Sequence, residues 1–413
     1  MKRMLITSMS LMASLAMAQN AHTTYSVVDL GPLGGAPGTA YFMSGNGLIA
    51  GAADTADKQS HATVWFMGFK VDLAIPGLGG LNSLASSVND KGQVVGAAQS
   101  TVANGEDFCG FNAYGVARSS TACLPFLFQN GAMAKLPTLG GPNGMANWIN
   151  NAGEAVGWAE TAEPDPDKSC GVLQFKPVVW GTGSTRMLPT FPGDPDGVAA
   201  SMNDRGQIVG ATGTCSAFNP NSGLNLVEKH AMLWENGMAI NLGNLGGSGQ
   251  NGGHHACAIN NRGHVVGHSD LTGDTTFHTF LWTPETGMKD IGTLPGDFAS
   301  SAISINDSGT VVGGSFDSMF NPRAFVWEAG SMTDLNDLLS SNPQKLYLLL
   351  AYSINARGEI VGLSVTGDGN PHGFLATPDR GGNFQPLSNR ASSPRLSEEV
   401  RMMVLRQTGI RQR

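Results

Sequence analysis

Short apolar runs separated by polar turn residues recur along the chain at nearly regular intervals. The clearest copy is Asn89-Asp90-Lys91-Gly92-Gln93-Val94-Val95-Gly96, in which a polar turn leads into an apolar pair and a closing glycine. A degenerate copy begins at Ser44, and the closing glycines of the seven copies lie 45 to 61 residues apart. This period predicts an array of seven units. The turn residues of the six regular copies are Asn89 and Gly92, Asn150 and Gly153, Asn203 and Gly206, Asn260 and Gly263, Asn306 and Gly309, and Asn355 and Gly358.

Each unit contains four segments with the length and composition of a β-strand. The segment before the turn is the first strand, and the apolar pair after the turn begins the second. In the turn, the asparagine side chain can bond its own backbone and glycine accepts a positive φ. A segment with an aromatic end, such as His230-Ala231-Met232-Leu233-Trp234, forms the third strand, and Met238 to Leu242 forms the fourth. Together these units predict an all-β, seven-bladed β-propeller of four-stranded antiparallel blades.

The two ends of the array predict how the ring closes. Residues Tyr25 to Leu30 resemble a fourth strand, yet they precede the first complete unit. This N-terminal strand can pair with the last blade, near Leu375 or Phe384, whereas an open array would need polar caps at both ends. We therefore expect residues 19–387 to form one closed domain.

Residues 1–18 have the pattern of an export signal. Lys2 and Arg3 precede an apolar stretch, and Ala16-Met17-Ala18 is a small-x-small cleavage site. The alternative is a buried N-terminal helix. Cleavage before Gln19 would give a secreted or periplasmic protein, and no later apolar stretch is long enough to predict a membrane span. We expect the mature protein to be a monomer.

The charge balance argues against nucleic acid as a partner. The formal charge is −8, and it becomes −10 once Lys2 and Arg3 are removed. Binding to phosphate backbones needs clustered cations, which an acidic, lysine-poor chain does not supply.

Three linked motifs resemble the HAF-repeat family of bacterial extracellular proteins. The segment like His-Ala-Phe-Leu-Trp begins at His61, His230, His278 and His372, and motifs like Asp-Leu-Gly-x-Leu-Gly-Gly and Ile-Asn-x-x-Gly-x-Val-Val-Gly lie beside it. The resemblance covers almost the whole mature chain. It implies an exported bacterial protein, and it implies neither a known reaction nor catalytic residues.

Long insertions after the second strand are expected in three consecutive blades, at about 101–122, 161–174 and 213–229. Insertions on one face of a repeat protein commonly mark its binding side, although drift in unconstrained loops is the alternative. Four of the five cysteines lie in or beside these insertions. In an oxidising compartment the simplest pairing is Cys109 with Cys123 and Cys170 with Cys215, one of three possible arrangements.

Two groups of side chains are candidate metal ligands. Carboxylates in neighbouring loops could converge on Ca²⁺, the alternative being a solvated polar loop; they are Glu163, Asp165, Asp167, Asp194 and Asp196. Histidines cluster in the fifth unit, where His264 and His268 would face the same side of a strand and could hold a transition metal. Ordinary polar contacts are the alternative for these histidines.

The tail from residue 388 to residue 413 departs from the repeat. Ser397 can cap a short helix whose apolar stripe would be Leu396, Val400, Met403 and Val404. This basic segment either docks on the propeller, contacts a partner, or frays.

The leading hypothesis for function is a non-catalytic, extracellular binding propeller whose partner is a protein or a glycan. No Gly-x-Ser-x-Gly, His-Glu-x-x-His or phosphate-binding loop is found, so no catalytic residue and no cofactor other than Ca²⁺ is predicted. The alternative is a secreted polysaccharide lyase or hydrolase that uses acids in the central funnel.

Overall fold

A computed structural model describes residues 23–35, 37–74, 77–104, 121–167, 173–215, 226–250, 252–380, 385–388 and 394–407. In this part of the chain, seven antiparallel sheets follow one another in chain order, and the first strand of each sheet contacts the first strands of its neighbours. The last sheet contacts the first, which closes the ring. The predicted seven-bladed β-propeller is therefore confirmed.

Blades one to six each contain four strands in sequence order. Blades one to three comprise β2 Gly38–Met43, β3 Ile49–Asp54, β4 Ser60–Phe66, β5 Phe69–Asp72, β6 Gly79–Val88, β7 Val94–Ala103, β8 Thr121–Gln129, β9 Ala132–Lys135, β10 Gly140–Ile149, β11 Ala155–Pro164, β12 Leu173–Gly181 and β13 Ser184–Met187. Blades four to six comprise β14 Asp196–Met202, β15 Ile208–Cys215, β16 Leu226–Glu235, β17 Met238–Asn241, β18 His254–Ile259, β19 Val265–Asp270, β20 Phe277–Thr283, β21 Gly287–Gly292, β22 Ala299–Ile305, β23 Val311–Phe316, β24 Pro322–Glu328 and β25 Ser331–Asp334.

Blade seven is completed by the start of the chain. Its strands β27 Tyr347–Ile354, β28 Ile360–Val365 and β29 Pro371–Pro378 are joined by β1 Tyr25–Asp29, which pairs antiparallel to β29 with Val28 opposite Leu375. This confirms closure by the N-terminal strand. A fifth strand, β26 Leu339–Ser341, follows a short 3₁₀ helix, Leu335–Leu338, and pairs parallel to β1. The sequence did not predict this extra strand.

The repeated turn links neighbouring blades as well as neighbouring strands. Asn203 Oδ1 accepts the backbone N–H groups of Arg205 and Gln207, each at 3.0 Å, and Asn203 Nδ2 donates to Asn260 O of the next blade, also at 3.0 Å. Asn89, Asn260 and Asn306 make the same donation to the following blade. The asparagine is thus repeated because it stabilises both its own turn and the contact between blades.

The closing glycine of each copy is required by a close approach of two backbones. A Cβ atom on Gly96 would lie 1.9 Å from Leu84 O, and the equivalent glycines of the other six blades would place a Cβ 1.9 to 2.1 Å from the corresponding carbonyl oxygen. Beside this contact, the first strand bulges after an alanine that is fully buried in all seven blades. The alanines are Ala40, Ala85, Ala146, Ala199, Ala256, Ala302 and Ala351.

The histidine of the third strand clamps that strand to the fourth. His61 Nδ1 lies 2.7 Å from Asp72 Oδ2, and the other oxygen, Asp72 Oδ1, accepts the backbone N–H of Ala74. The motif like His-Ala-Phe-Leu-Trp and the motif like Asp-Leu-Gly-x-Leu-Gly-Gly therefore each supply one side chain of the same contact. Equivalent pairs are His278–Asp290, His372–Asp29 and, with arginine in place of histidine, Arg323–Asp334.

The tail forms the predicted short helix, α1 Glu398–Gln407, with the Ser397 hydroxyl accepting the N–H of Val400. Val400, Met403 and Val404 are buried against the inner strands of blades six and seven, so this helix docks on the propeller. No helix in the described ranges is both long enough and apolar enough to cross a membrane. The export signal and most of the three insertions lie outside the described residues.

Replacing Asn203 with alanine should destabilise the protein by about 1–3 kcal/mol, because two backbone N–H groups lose their acceptor and one bond between blades is lost. Urea unfolding at pH 7 measures this loss. Asn203→Ser is the matched control, since Ser44 fills this position in blade one and its hydroxyl accepts the N–H of Leu48. Equal losses for the two variants would contradict the proposed role of the asparagine.

Candidate functional site: the tunnel mouth

The first strands of the seven blades surround a tunnel along the propeller axis. Two aromatic side chains meet across this axis at one end of the tunnel. Phe42 of β2 and Trp148 of β10 belong to blades one and three, which are not neighbours, and their ring centroids lie 4.3 Å apart at an interplanar angle of 64°. Both side chains are partly exposed. They lie two residues after the buried alanine, where the other five blades carry serine or alanine.

The small residues at this position have a structural role that the aromatic residues replace. The hydroxyl of Ser353 accepts the N–H of Met43 in the next blade, and Ser87 and Ser304 make equivalent contacts. Phe42 and Trp148 cannot make this bond. Three of the other five blades form this bond, whereas Ala258 cannot and the Ser201 hydroxyl has no hydrogen-bond partner, so the fold does not require it and the aromatic pair is distinguished by its position in the tunnel.

A second ring of side chains surrounds this end of the tunnel, one residue after the repeated asparagine. Four backbone N–H groups of the ring, from blades two to five, each donate to the carboxylate or amide oxygen of the next blade, and the N–H of Asn46 in blade one donates to Asp90 Oδ1, at distances of 2.8 to 3.1 Å. Blades seven and one have Ala356 and Gly45 at this position, and Arg357 of the same turn donates to Gly45 O. The side chains of the ring are Asp90, Asn151, Asp204, Asn261 and Asp307.

The aromatic pair and the ring enclose a cavity of about 160 Å³, here termed the tunnel-mouth cavity. All seven blades contribute to its lining, so it lies on the propeller axis. Its walls include Met43, Met202 and Ile259 beside Phe42 and Trp148, and its rim consists of the Asn-x-x-Gly turns. An apolar floor under a polar rim is typical of a ligand site.

The sequence prediction put the binding side on the opposite face, where the insertions join strands two and three. Those insertions lie mostly outside the described residues, so that hypothesis stays a prediction. The tunnel-mouth cavity was missed, although a signal existed. Aligning the seven units shows two large aromatic residues at a position that otherwise holds only serine or alanine.

Of the five predicted calcium ligands, the structure brings three together and gives them other partners. Asp196 is fully buried and accepts the N–H groups of Phe175 and Cys215, at 3.1 and 2.9 Å. Asp194 accepts hydrogen bonds from Thr212 and lies 2.8 Å from His230 Nδ1. Asp194 thereby replaces the missing fourth-strand aspartate of this blade, where Asn241 stands.

The remaining candidates complete a charged cluster beside Asp196. Asp165 is buried, whereas Glu163 and Asp167 are exposed. Lys176 lies close to Asp165, Asp194 and Asp196, and its ammonium group donates to Pro195 O. Within the described residues, no group of three or more histidine, cysteine or acidic side chains is arranged to hold a metal ion. The cluster is consequently best described as a contact between blades three and four.

Burial, together with a hydrogen bond shared with the Asp165 carboxyl, raises the pKa of Asp196 to about 7. Burial also lowers the pKa of Lys176, against the attraction of the nearby carboxylates. Asn82 and Asn143 occupy the position of Asp196 in blades two and three, and each likewise accepts an N–H from the third strand of the preceding blade. An uncharged acceptor is therefore sufficient at this position.

The histidines of blade five form no predicted metal pair. His264 lies in the turn before β19, so it does not share a strand with His268 as expected. Instead, His255 Nδ1 lies 2.6 Å from Glu228 Oε1, and His268 Nε2 lies 3.6 Å from Glu228 Oε2. His268 Nδ1 lies 3.0 Å from the Ser301 hydroxyl of blade six. This Glu228 cluster joins blades four, five and six.

Electrostatics favours the charged forms within the Glu228 cluster. Burial alone would lower the pKa of His268, but hydrogen bonds with Cys257 and Glu228 raise it to about 9. Burial would lower the pKa of His255, but the charge of Glu228 and the hydrogen bond with it raise that pKa. Burial would raise the pKa of Glu228, and its two histidine neighbours hold it well below its usual range.

The predicted disulfides remain a prediction, because Cys109 and Cys170 lie outside the described residues. No two cysteines within the described ranges are bonded to each other. Cys123 and Cys215 are buried in one apolar cluster of the inner strands. Cys257 is free and partly exposed.

No protein family matches the chain, and no curated protein matches it. Similar solved structures include the β-propeller domain of the Trilobed protease from Pyrococcus furiosus, at 12% identity, covering 72% of this chain and 81% of that chain with a TM-score of 0.46. TolB from Acinetobacter baumannii shares 10% identity over 84% of this chain and 56% of that chain, with a TM-score of 0.34.

A structure of the polysaccharide lyase ulvan lyase shares 10% identity over 82% of this chain and 92% of its own, with a TM-score of 0.37. Identities and scores this low carry no argument about function. The seven four-stranded sheets by themselves assign the chain to the β-propeller class of architecture.

Replacing Asp196 with asparagine should stabilise the protein relative to wild type as the pH rises. Because the folded-state pKa lies above the usual value near 4, the wild type loses stability between about pH 4 and pH 7 and then levels off. Asp196→Asn removes that loss, so the stability of the variant relative to wild type should rise by roughly 1–3 kcal/mol between pH 4 and pH 8, on top of a pH-independent cost for the one backbone N–H group that the amide NH2 cannot accept. Urea unfolding from pH 4 to pH 8 measures it, with the exposed Glu163→Gln as control. A difference that does not vary with pH would contradict this assignment.

The Glu228 cluster should give the opposite pH dependence. A histidine whose folded-state pKa is raised contributes stability below about pH 6.5, and that contribution is lost as the pH rises through about 9. His268→Gln should therefore cost most stability at pH 6 and progressively less towards pH 9.5, as measured by thermal unfolding. His278→Gln, in a partly exposed pair with Asp290, is the control. A cost for His268→Gln that grows with pH would refute the ion pair.

Proposed function

We propose that this protein is an exported, non-catalytic binding propeller and that the tunnel-mouth cavity is its ligand site. The observation that carries the proposal is the contact of Phe42 and Trp148 across the axis. Two blades place large aromatic rings in the tunnel where the other five carry serine or alanine, and these rings lie partly exposed beneath a polar rim.

The size of the cavity limits what it can accept. Sites for drug-sized ligands commonly measure about 300–1,000 Å³. A cavity of about 160 Å³ instead fits one terminal group of a larger molecule. The partner in this proposal is accordingly an extracellular glycan or protein that presents such a group.

Secretion and membership of the HAF-repeat family are part of the proposal. Both rest on the pattern of residues 1–18 and on the three linked motifs. The histidine–aspartate clamps give two of those motifs a structural reason, which supports reading them as one repeat unit.

A polysaccharide-acting enzyme is the second candidate, favoured by the two sets of convergent ionisable groups between blades three to six. Lyases and hydrolases need paired carboxyl groups or an acid–base pair. Asp165 and Asp196, however, are buried and engaged with the backbone or with each other. In the Glu228 cluster, His268 is 2% exposed. These groups hold blades together and offer little access to a polymer.

Binding through the tunnel mouth is tested by Phe42→Ser and Trp148→Ser, alone and combined, on arrays of extracellular glycans and on immobilised protein partners. Serine fits both positions, because it fills the equivalent position in four other blades. We expect a loss of every signal that the wild type gives, with unfolding midpoints close to wild type.

The matched control is Phe69→Ser, on the outer edge strand of blade one, where the side chain is 74% exposed. Signals that survive the double serine variant would place the binding site elsewhere on the propeller.

A further inference from the structure

We propose that the tunnel-mouth cavity binds an alkylated ammonium group, of the kind found in choline. This inference rests on the proposed function and names the ligand class for the same site. It is carried by the size of the cavity, its charge, the state of its hydrogen-bonding groups and its aromatic floor.

The size of the cavity suits a compact group. An apolar cavity of about 150 Å³ holds one benzene molecule. A trimethylammonium group is similarly compact, so the tunnel-mouth cavity, at about 160 Å³, can enclose it while the rest of the ligand extends through the rim.

The lining carries negative charge without compensating cations. Asp90, Asp204 and Asp307 contribute to it, and no lysine or arginine does. Four basic residues, Lys91, Arg205, Arg262 and Arg357, follow in the same turns, but none of them lines the cavity. Arg205 donates to Gln207, and Arg357 donates to Glu359 and to Gly45 O. A cation is thus attracted to the mouth, whereas an anion is repelled.

One oxygen of each rim carboxylate is already engaged by the backbone. The Oδ1 atoms of Asp90, Asp204 and Asp307 each accept a backbone N–H from the preceding blade. The asparagine oxygens of the ring accept N–H groups in the same way. A primary ammonium needs three acceptors, and leaving its N–H groups unpaired is costly. An alkylated ammonium needs none, so it can lie on the apolar floor of the cavity with the rim carboxylates above it as countercharges.

The aromatic floor of the cavity attracts an alkylated ammonium group through cation–π contact. A cation near the face of a tryptophan or phenylalanine ring gains about 0.5–2 kcal/mol, most with tryptophan. Trp148 and Phe42 meet nearly edge to face, so together they present differently oriented rings to one small group. Met43 and Met202 complete polarisable walls around it.

The experiment compares choline with 3,3-dimethylbutan-1-ol, its neutral carbon isostere, and with ethanolamine, its primary ammonium counterpart. Calorimetry and the NMR shift of the Trp148 indole report binding to the full-length folded protein. We expect choline to bind at least about 5-fold more tightly than either comparison compound, with affinity that falls as salt is added.

Two sets of variants separate the contribution of the rim charge from that of the aromatic ring of Trp148. Asp90→Asn, Asp204→Asn and Asp307→Asn, combined, remove the charge and keep the ring, because asparagine fills the same ring position at Asn151 and Asn261. This variant should lose the preference for choline over the neutral isostere. Trp148→Ser should weaken choline binding roughly 2- to 30-fold, and Trp148→Phe should restore part of it.

The failures of the two proposals are distinguishable. If choline does not bind, or binds no better than the isostere or ethanolamine, while array signals still depend on Trp148, the ammonium inference is overturned and the binding site stands. If neither choline nor any array signal depends on Trp148, both proposals are wrong.

Discussion

The close approach of the first two strands of each blade near the axis is the contact on which the whole ring depends. At this point a carbonyl oxygen of the first strand occupies the space in which a Cβ atom of the second strand would stand, so only glycine is possible. The adjacent bulge turns the buried alanine towards the neighbouring blade. Seven first strands can therefore surround one narrow axis. The asparagine turns then join neighbouring blades, because the Nδ2 atom of the asparagine donates to a backbone carbonyl oxygen of the next blade.

The architecture could be predicted from the sequence because these constraints act on single residue types at fixed spacing. Glycine, alanine and asparagine each recur for one local reason, and their intervals count the blades. The closing strand could also be predicted, because Tyr25 to Leu30 has the pattern of a fourth strand without a unit before it. The α1 helix followed from Ser397 and its apolar stripe.

The candidate site could be predicted only in part, because its location depends on which blades face each other across the axis. Phe42 and Trp148 are 106 positions apart in the sequence, and nothing local shows that blades one and three meet across the axis. The partners that the structure gives the acidic residues could not be predicted for a related reason. Asp196 resembles a metal ligand in sequence, but its spacing from the repeated alanine is that of Asn82 and Asn143, which mark a backbone contact. Reading residues by their place in the repeat is more informative than reading them by type.

The extra strand of blade seven has a mechanical consequence. β1 lies between β29 and β26, so the start of the chain is paired along both of its edges. A force applied at the N-terminus must shear two ladders of backbone bonds at once, and shearing resists force better than peeling a single edge strand. The strand that closes the ring is therefore held by hydrogen bonds on both of its edges, which favours keeping the ring closed when the protein is attached through its N-terminal side.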